Sequence, residues 1–173
     1  LDTDPCYMFV DRTGKFLLSS YYIGGKVTVH RIGTDGAAGE KVCEVTTAGH
    51  AHCIQTDRSN RFAFVPHTVP PNAIFQFRFD AQTGVLTPNS EAKVTRPEGE
   101  GPRHFVLHPT KDFVYVSNEN GSSVTAYRLD PERGVLSDFQ TLSTLPDGYA
   151  GENNCAQIHM TPDGKLLFVS DRK

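Results

Sequence analysis

One short phrase occurs four times in this chain. Phe16-Leu17-Leu18 follows Asp11-Arg12-Thr13-Gly14. Phe62-Ala63-Phe64-Val65 follows Asp57-Arg58-Ser59-Asn60. Phe113-Val114-Tyr115-Val116 follows His108-Pro109-Thr110-Lys111, and Leu166-Leu167-Phe168-Val169 follows Pro162-Asp163-Gly164. With Phe16, Phe62, Phe113 and Leu166 in register, the steps are 46, 51 and 53 residues. A repeat of roughly 40 to 50 residues built from short strands is the pattern of a β-propeller with one four-stranded blade per repeat. Repeats of this kind stack because each unit needs its neighbours to bury its apolar face.

The third repeat shows the blade most clearly. His104 to His108 forms a short inner strand, and Pro109-Thr110-Lys111-Asp112 turns the chain. Phe113 to Asn118 is β-branched and aromatic, as suits a strand inside the blade. Glu119-Asn120-Gly121-Ser122 turns again. Ser123 to Leu129 alternates polar and apolar residues, and Val135 to Leu142 supplies the outer strand. The second repeat follows the same order with Ile74 to Phe79, and the first with Val27-Thr28-Val29-His30. No segment holds a helical period. The expected fold is all-β, one partial propeller domain over 1–173, with blades near 5–48, 49–98, 99–150 and 151–173. That is about three and a half blades, where propellers have four to eight, so a fragment of a larger propeller is expected.

Composition narrows the class. The net charge is −3 and no Lys/Arg cluster stands out, which argues against nucleic acid. No apolar run approaches the roughly 20 residues of a membrane helix, and no signal-peptide pattern opens the sequence. Cys6, Cys43, Cys53 and Cys155 form no CxxC pair. They are expected as free thiols in a reducing compartment, hence a cytoplasmic location.

The inner strand of each blade lines the channel, so the segments feeding it are where chemistry is expected. Gly49-His50-Ala51-His52 precedes the second inner strand. Gly99-Glu100-Gly101-Pro102-Arg103-His104 precedes the third, and Gly148-Tyr149-Ala150-Gly151-Glu152-Asn153-Asn154 the fourth. Glu119 and Arg172 follow second strands. Converging His, Arg and Glu side chains would make an anion-binding pocket with a proton-transfer group. The plainer readings are a hydrogen-bonded structural histidine, and an Arg103–Glu119 salt bridge that caps a blade edge. His50 and His52 lie two apart and would share a strand face, as would His104 and His108. That spacing is weak evidence for zinc, and no metal is expected. Asp11, Asp57 and Asp163 are turn residues, and the Phe/Tyr stripe is core.

The strings GPRHFVLHP at 101–109, YVSNE at 115–119 and TLSTLPDGYAGENNCAQIHMTPDGKLLFVSDR at 141–172 carry a resemblance. So do HAHCIQTDRSNRFAFVP at 50–66 and PCYMFVDRTGKFLLSSYYIGGKVTVHRI at 5–32. Together they resemble the lactonase family of seven-bladed propellers, which includes propeller-type 6-phosphogluconolactonases and fungal 3-carboxy-cis,cis-muconate lactonizing enzymes. The resemblance implies seven blades and a site that uses no cofactor. It places catalytic roles on His52, Arg103, Glu119 and Arg172, with His50, His104, Glu152 and Asn153 as substrate-binding neighbours. Asp171 stands where relatives usually have Asn, and the HTVPPN turn at 67–72 is more proline-rich than expected.

The implied reaction is metal-independent hydrolysis of an anionic sugar-acid lactone, 6-phosphogluconolactone first. A carboxymuconate cycloisomerase needs the same anion clamps and acid/base group. A non-catalytic scaffold and a metal-dependent sugar lactonase complete the alternatives. Residue types leave open whether His52 or Glu119 is the base, and no oligomeric state is implied.

Overall fold

The computed structural model describes residues 4–172; residues 1–3 and 173 of the expected domain lie outside the described residues. Fourteen strands and no helix occur among them. Strands β1 (Pro5–Val10), β2 (Phe16–Tyr21), β3 (Lys26–Ile32) and β4 (Ala38–Thr46) form the first sheet in chain order. Strands β5 (Gln55–Thr56), β6 (Phe62–His67), β7 (Ala73–Phe79) and β8 (Leu86–Thr95) form the second. The third holds β9 (Pro102–Leu107), β10 (Phe113–Asn118), β11 (Ser123–Asp130) and β12 (Val135–Ser143). Strands β13 (Asn154–Met160) and β14 (Leu167–Arg172) make a two-stranded sheet. All neighbours pair antiparallel, so the chain has three whole blades and half a fourth.

Two strands differ from the sequence reading. The third inner strand starts at Pro102 and ends at Leu107, so Arg103 lies on it and His108 does not. The second inner strand shrinks to Gln55–Thr56, with an isolated bridge from Ala51 to His67. His50 takes a φ of 66°, a left-handed conformation outside any strand, which interrupts the ladder.

The four phrases mark blade corners. Asp11 Oδ1 accepts the N–H groups of Lys15 and Phe16, each at 2.8 Å, and Oδ2 accepts Thr13 N–H at 3.0 Å. Asp57 repeats this with Arg61, Phe62 and Ser59. In the third blade His108 Nδ1 takes over, accepting from Thr110 and Lys111. A short acceptor at this point satisfies turn N–H groups that would otherwise be stranded beside the core. Asn60 Nδ2 donates to Asp11 Oδ2 at 2.7 Å and ties the first corner to the second.

The core lies between blades. Strand β6 is buried along its whole length, and its side chains alternate faces. Ala63 and Val65 pack toward Phe16, Leu18, Val27 and Val29 of the first blade. Phe62 and Phe64 pack toward Phe105, Val114 and Val116 of the third. This two-sided burial explains why β6 runs apolar from Phe62 to Pro66. At the outer turn of the second blade, Gly84 (φ 81°) lies over Phe16, where an added Cβ would come within 2.7 Å of Cε1. Gly134 lies over Phe62 in the same way. The flanking sheets expose apolar residues instead: Met8 and Val10 on β1, and Leu166 and Phe168 beside and on β14.

Candidate functional site

The antiparallel pairing of inner and second strands sets the start of one beside the end of the other. Pro102 pairs with Asn118, and Asn154 with Arg172. Arg103, Glu119 and Arg172 therefore meet on one rim. Glu119 is placed by its backbone: its N–H donates to Gly101 O at 2.7 Å, and its carbonyl accepts Cys155 N–H at 3.0 Å. Its side chain lies between two guanidinium groups. Arg103 Nε is 3.5 Å from Oε2, an ion-pair distance without hydrogen-bond geometry, and Arg172 Nη2 pairs with Oε1. Gly101 takes a φ of 68°, and an added Cβ would sit 2.5 Å from Asn120 Oδ1, so this turn suits glycine.

Arg103 Nη1 also lies 3.1 Å from His104 Nδ1. A guanidinium can only donate, so Nδ1 accepts and the neutral ring carries its proton on Nε2. Burial, with Arg103 beside it, pushes the His104 pKa down to about 3. The His52 ring stands edge-on to His104, with centroids 4.9 Å apart at 81°. Burial first, and the Arg103 charge second, hold the His52 pKa below its ordinary value. Burial likewise lowers the Arg103 pKa, and Glu119 opposes that shift. Burial thus favours the neutral form of both rim imidazoles, His52 and His104.

Other expected residues stand apart. His50 stacks on Tyr22 at 4.6 Å, and its Nδ1 bonds to Pro70 O at 2.8 Å. His50 and His52 share no strand face because His50 is not in a strand. His104 and His108 are separated too, one on the rim and the other in a corner. The paired-face geometry behind a zinc reading is therefore not formed, and no three His, Cys, Asp or Glu side chains among the described residues group as a metal site. Glu152 is exposed, its carbonyl accepting Tyr149 O–H. Asn153 Nδ2 donates to Ser122 Oγ and to Asp171 Oδ1. Asp171 Oδ1 also accepts from Thr144 Oγ1 at 3.0 Å and Cys155 Sγ at 3.1 Å. The Asp that departs from the usual Asn thus fastens the linker before β13. The four cysteines are free thiols.

Two rim residues escaped the sequence reading. Tyr22 faces both histidines, edge-on to His52 at 5.5 Å and 78°. Thr68 Oγ1 donates to Tyr22 Oη at 3.3 Å. The repeat held the signal. Tyr22, Thr68, Glu119 and Arg172 each lie six residues after Phe16, Phe62, Phe113 and Leu166. Cys6, His52, Arg103 and Ala156 each lie ten before. These two positions, one on each side of the strand pair, supply the rim.

The model of the family described as "Lactonase, 7-bladed beta-propeller" matches residues 1–173. The chain belongs to this lactonase family. It is 37% identical over 172 residues to the 6-phosphogluconolactonase of Pectobacterium carotovorum, and 37% to that of Cronobacter sakazakii, covering 99% of this chain and 51% of each relative. The chain thus spans about half the length of the lactonase relatives it matches. Among solved structures, a periplasmic gluconolactonase of Pseudomonas aeruginosa superposes with a TM-score of 0.88 at 24% identity, over 97% of this chain and 50% of that one. A Bacteroides fragilis protein superposes at 0.83 with 27% identity, over 98% and 50%. The lactonase fold is common to all of them.

Proposed function

We propose that this chain is the site-bearing half of a lactonase that hydrolyses an anionic sugar-acid lactone, 6-phosphogluconolactone first, without a metal. The observation that carries the proposal is the Arg103–Glu119–Arg172 bridge beside the neutral His52. The names of the relatives at 37% identity support the substrate class.

Both Glu119 oxygens face guanidiniums, which makes Glu119 the group that holds the two arginines and leaves His52 as the base. His52 takes a proton from water as the water oxygen attacks the lactone carbonyl carbon. Charge on the carbonyl oxygen is met by one guanidinium, and the other holds the substrate's phosphate or carboxylate. The tetrahedral intermediate collapses, the ring C–O bond breaks, and the imidazolium returns its proton to the leaving alkoxide. The product acid ionises and releases one proton. The shared rim position of all four side chains supports binding at the channel mouth.

The test uses the full-length protein and freshly made 6-phosphogluconolactone, measured against the uncatalysed background, with and without a chelator. Rapid, chelator-resistant turnover that Arg103→Ala sharply lowers is expected. Turnover unchanged by Arg103→Ala overturns the site, and turnover lost to chelator overturns metal independence. No turnover above background overturns the substrate and makes carboxymuconate the next compound to try.

A further inference from the structure

His52 lacks a support that a general base ordinarily has. Its Nδ1 is buried and makes no hydrogen bond among the described residues. The residue's own backbone acts on the ring, but no side-chain carboxylate bonds Nδ1 from behind. Two aromatic rings pack edge-on to it: His104 at 4.9 Å and 81°, and Tyr22 at 5.5 Å and 78°. Edge-to-face packing is a directional contact that can set a ring's angle. His104 is itself fixed by Arg103 and by a tilted contact with Tyr7 at 5.3 Å.

Tyr22 is fixed as well. Its ring stacks on His50, whose Nδ1 is bonded to Pro70 O. Its hydroxyl accepts from Thr68, and its carbonyl accepts His50 N–H at 2.6 Å. A half-buried tyrosine held at ring, hydroxyl and backbone makes a stiff wall.

We propose that Tyr22 is the positioning residue of His52, its ring fixing the imidazole angle that no side chain fixes by a hydrogen bond to Nδ1. This rests on the reading of His52 as the base. Tyr22 occupies in the first blade the position that Glu119 and Arg172 occupy in the third and fourth. The same structural position thus supplies an orienting ring at one end of the rim and the ion pair at the other. His50 then acts through Tyr22, as the stacked backing of that wall, and does not itself touch substrate.

Loss of the ring has a signature that general destabilisation lacks. The groups around His52 are Arg103 and His104 of β9, Glu119 after β10, Arg172 of β14, Cys6 of β1 and His50. Replacing Tyr22 removes none of these groups, whereas it lets water reach the imidazole. Burial is the largest cause of the lowered His52 pKa. Exposure therefore raises it toward the ordinary value near 6.5, and the acid limb of the kcat/KM profile moves to higher pH.

The experiment compares Tyr22→Leu, Tyr22→Ala and Tyr22→Phe with wild type in the full-length protein, with His52→Gln in parallel. The His52 ring is titrated by NMR, its signal assigned by its absence in His52→Gln. For Tyr22→Leu and Tyr22→Ala, kcat is expected to fall about tenfold or more, with KM within about twofold, as for a misplaced catalytic group. Both variants shift the His52 titration upward, and Tyr22→Phe restores rate and titration. An unmoved titration in the folded Tyr22→Leu protein overturns the proposal, and so does a Tyr22→Phe variant as impaired as Tyr22→Leu. A His52→Gln enzyme with wild-type turnover refutes the base assignment itself. An inactive His52→Gln beside a fully active Tyr22→Leu refutes only the role of Tyr22.

Discussion

Glu119 decides how the rim is charged. One carboxylate with 15% side-chain exposure faces two guanidiniums, one from its own blade and one from the next. With Arg103 as the guanidinium that meets the developing oxyanion, Arg103→Ala lowers kcat/KM about 10² to 10³-fold, the range for one lost oxyanion donor. Steady-state kinetics with the phosphorylated lactone check this. Glu119→Gln tests the electrostatics separately. The negative charge of Glu119 raises the His52 pKa, while Arg103 and Arg172 lower it. Removing the negative charge leaves both arginines acting alone, so the His52 pKa falls further. The acid limb of kcat/KM then moves to lower pH, opposite in sign to the shift expected on replacing Tyr22, and a pH–rate profile from 4 to 8 reads it. The residue types at this rim were legible in the sequence because they stand at strand ends in successive repeats. Tyr22 was not, since a tyrosine beside another in SSYYIGG looks like core until its ring is seen against two histidines.

At the scale of the element, the corners and strand ends carry the stability. Asp57 is 3% exposed and accepts four hydrogen bonds, two of them from the first residues of the β6 hairpin. Asp57→Ala leaves those N–H groups without their acceptor, at a cost of about 2 to 4 kcal/mol; urea unfolding of the full-length protein measures it. The end of β6 adds a pH dependence. His67 is fully buried, with Nδ1 on Val65 O and Nε2 on Thr47 Oγ1, each at 2.9 Å. Burial lowers its pKa from 6.5 to about 4. Below pH 6.5 the unfolded chain binds a proton that folded His67 does not, so stability is full above 6.5 and falls as the pH drops to about 4. The loss is on the order of 3 kcal/mol, and His67→Gln reduces the slope between pH 7 and 4.5 in the same unfolding assay, leaving the part that His104 and His52 contribute. The corners were readable as turn chemistry, a local property. The left-handed turn at His50 was not: its ring stacks on Tyr22, a tertiary contact that no local preference announces.

At the scale of the molecule, blades are covered by blades. The second sheet has a neighbour on each face, and its strand β6 is buried throughout. The first and fourth present Met8, Val10, Leu166 and Phe168 to solvent, Leu166 at 58% and Phe168 at 56% exposure. Contiguous exposed apolar faces and open strand edges drive association. The 173-residue piece prepared alone is expected to self-associate as its concentration rises, and light scattering across a dilution series checks this; a concentration-independent monomer mass would contradict it. By itself the sequence determined the all-β class, the blade repeat and the corner turns. Each of these follows from interactions a few residues long: strand alternation, turn hydrogen bonding, and a period repeated along the chain. The tertiary structure alone decided that Arg172 reaches Glu119, that His104 packs on His52, and that His50 faces Pro70 and Tyr22. Apart from His50 and Pro70, those contacts join residues from different blades. They depend on how far each sheet is turned against the next and which rotamer the packing admits, and no local stretch of sequence encodes either.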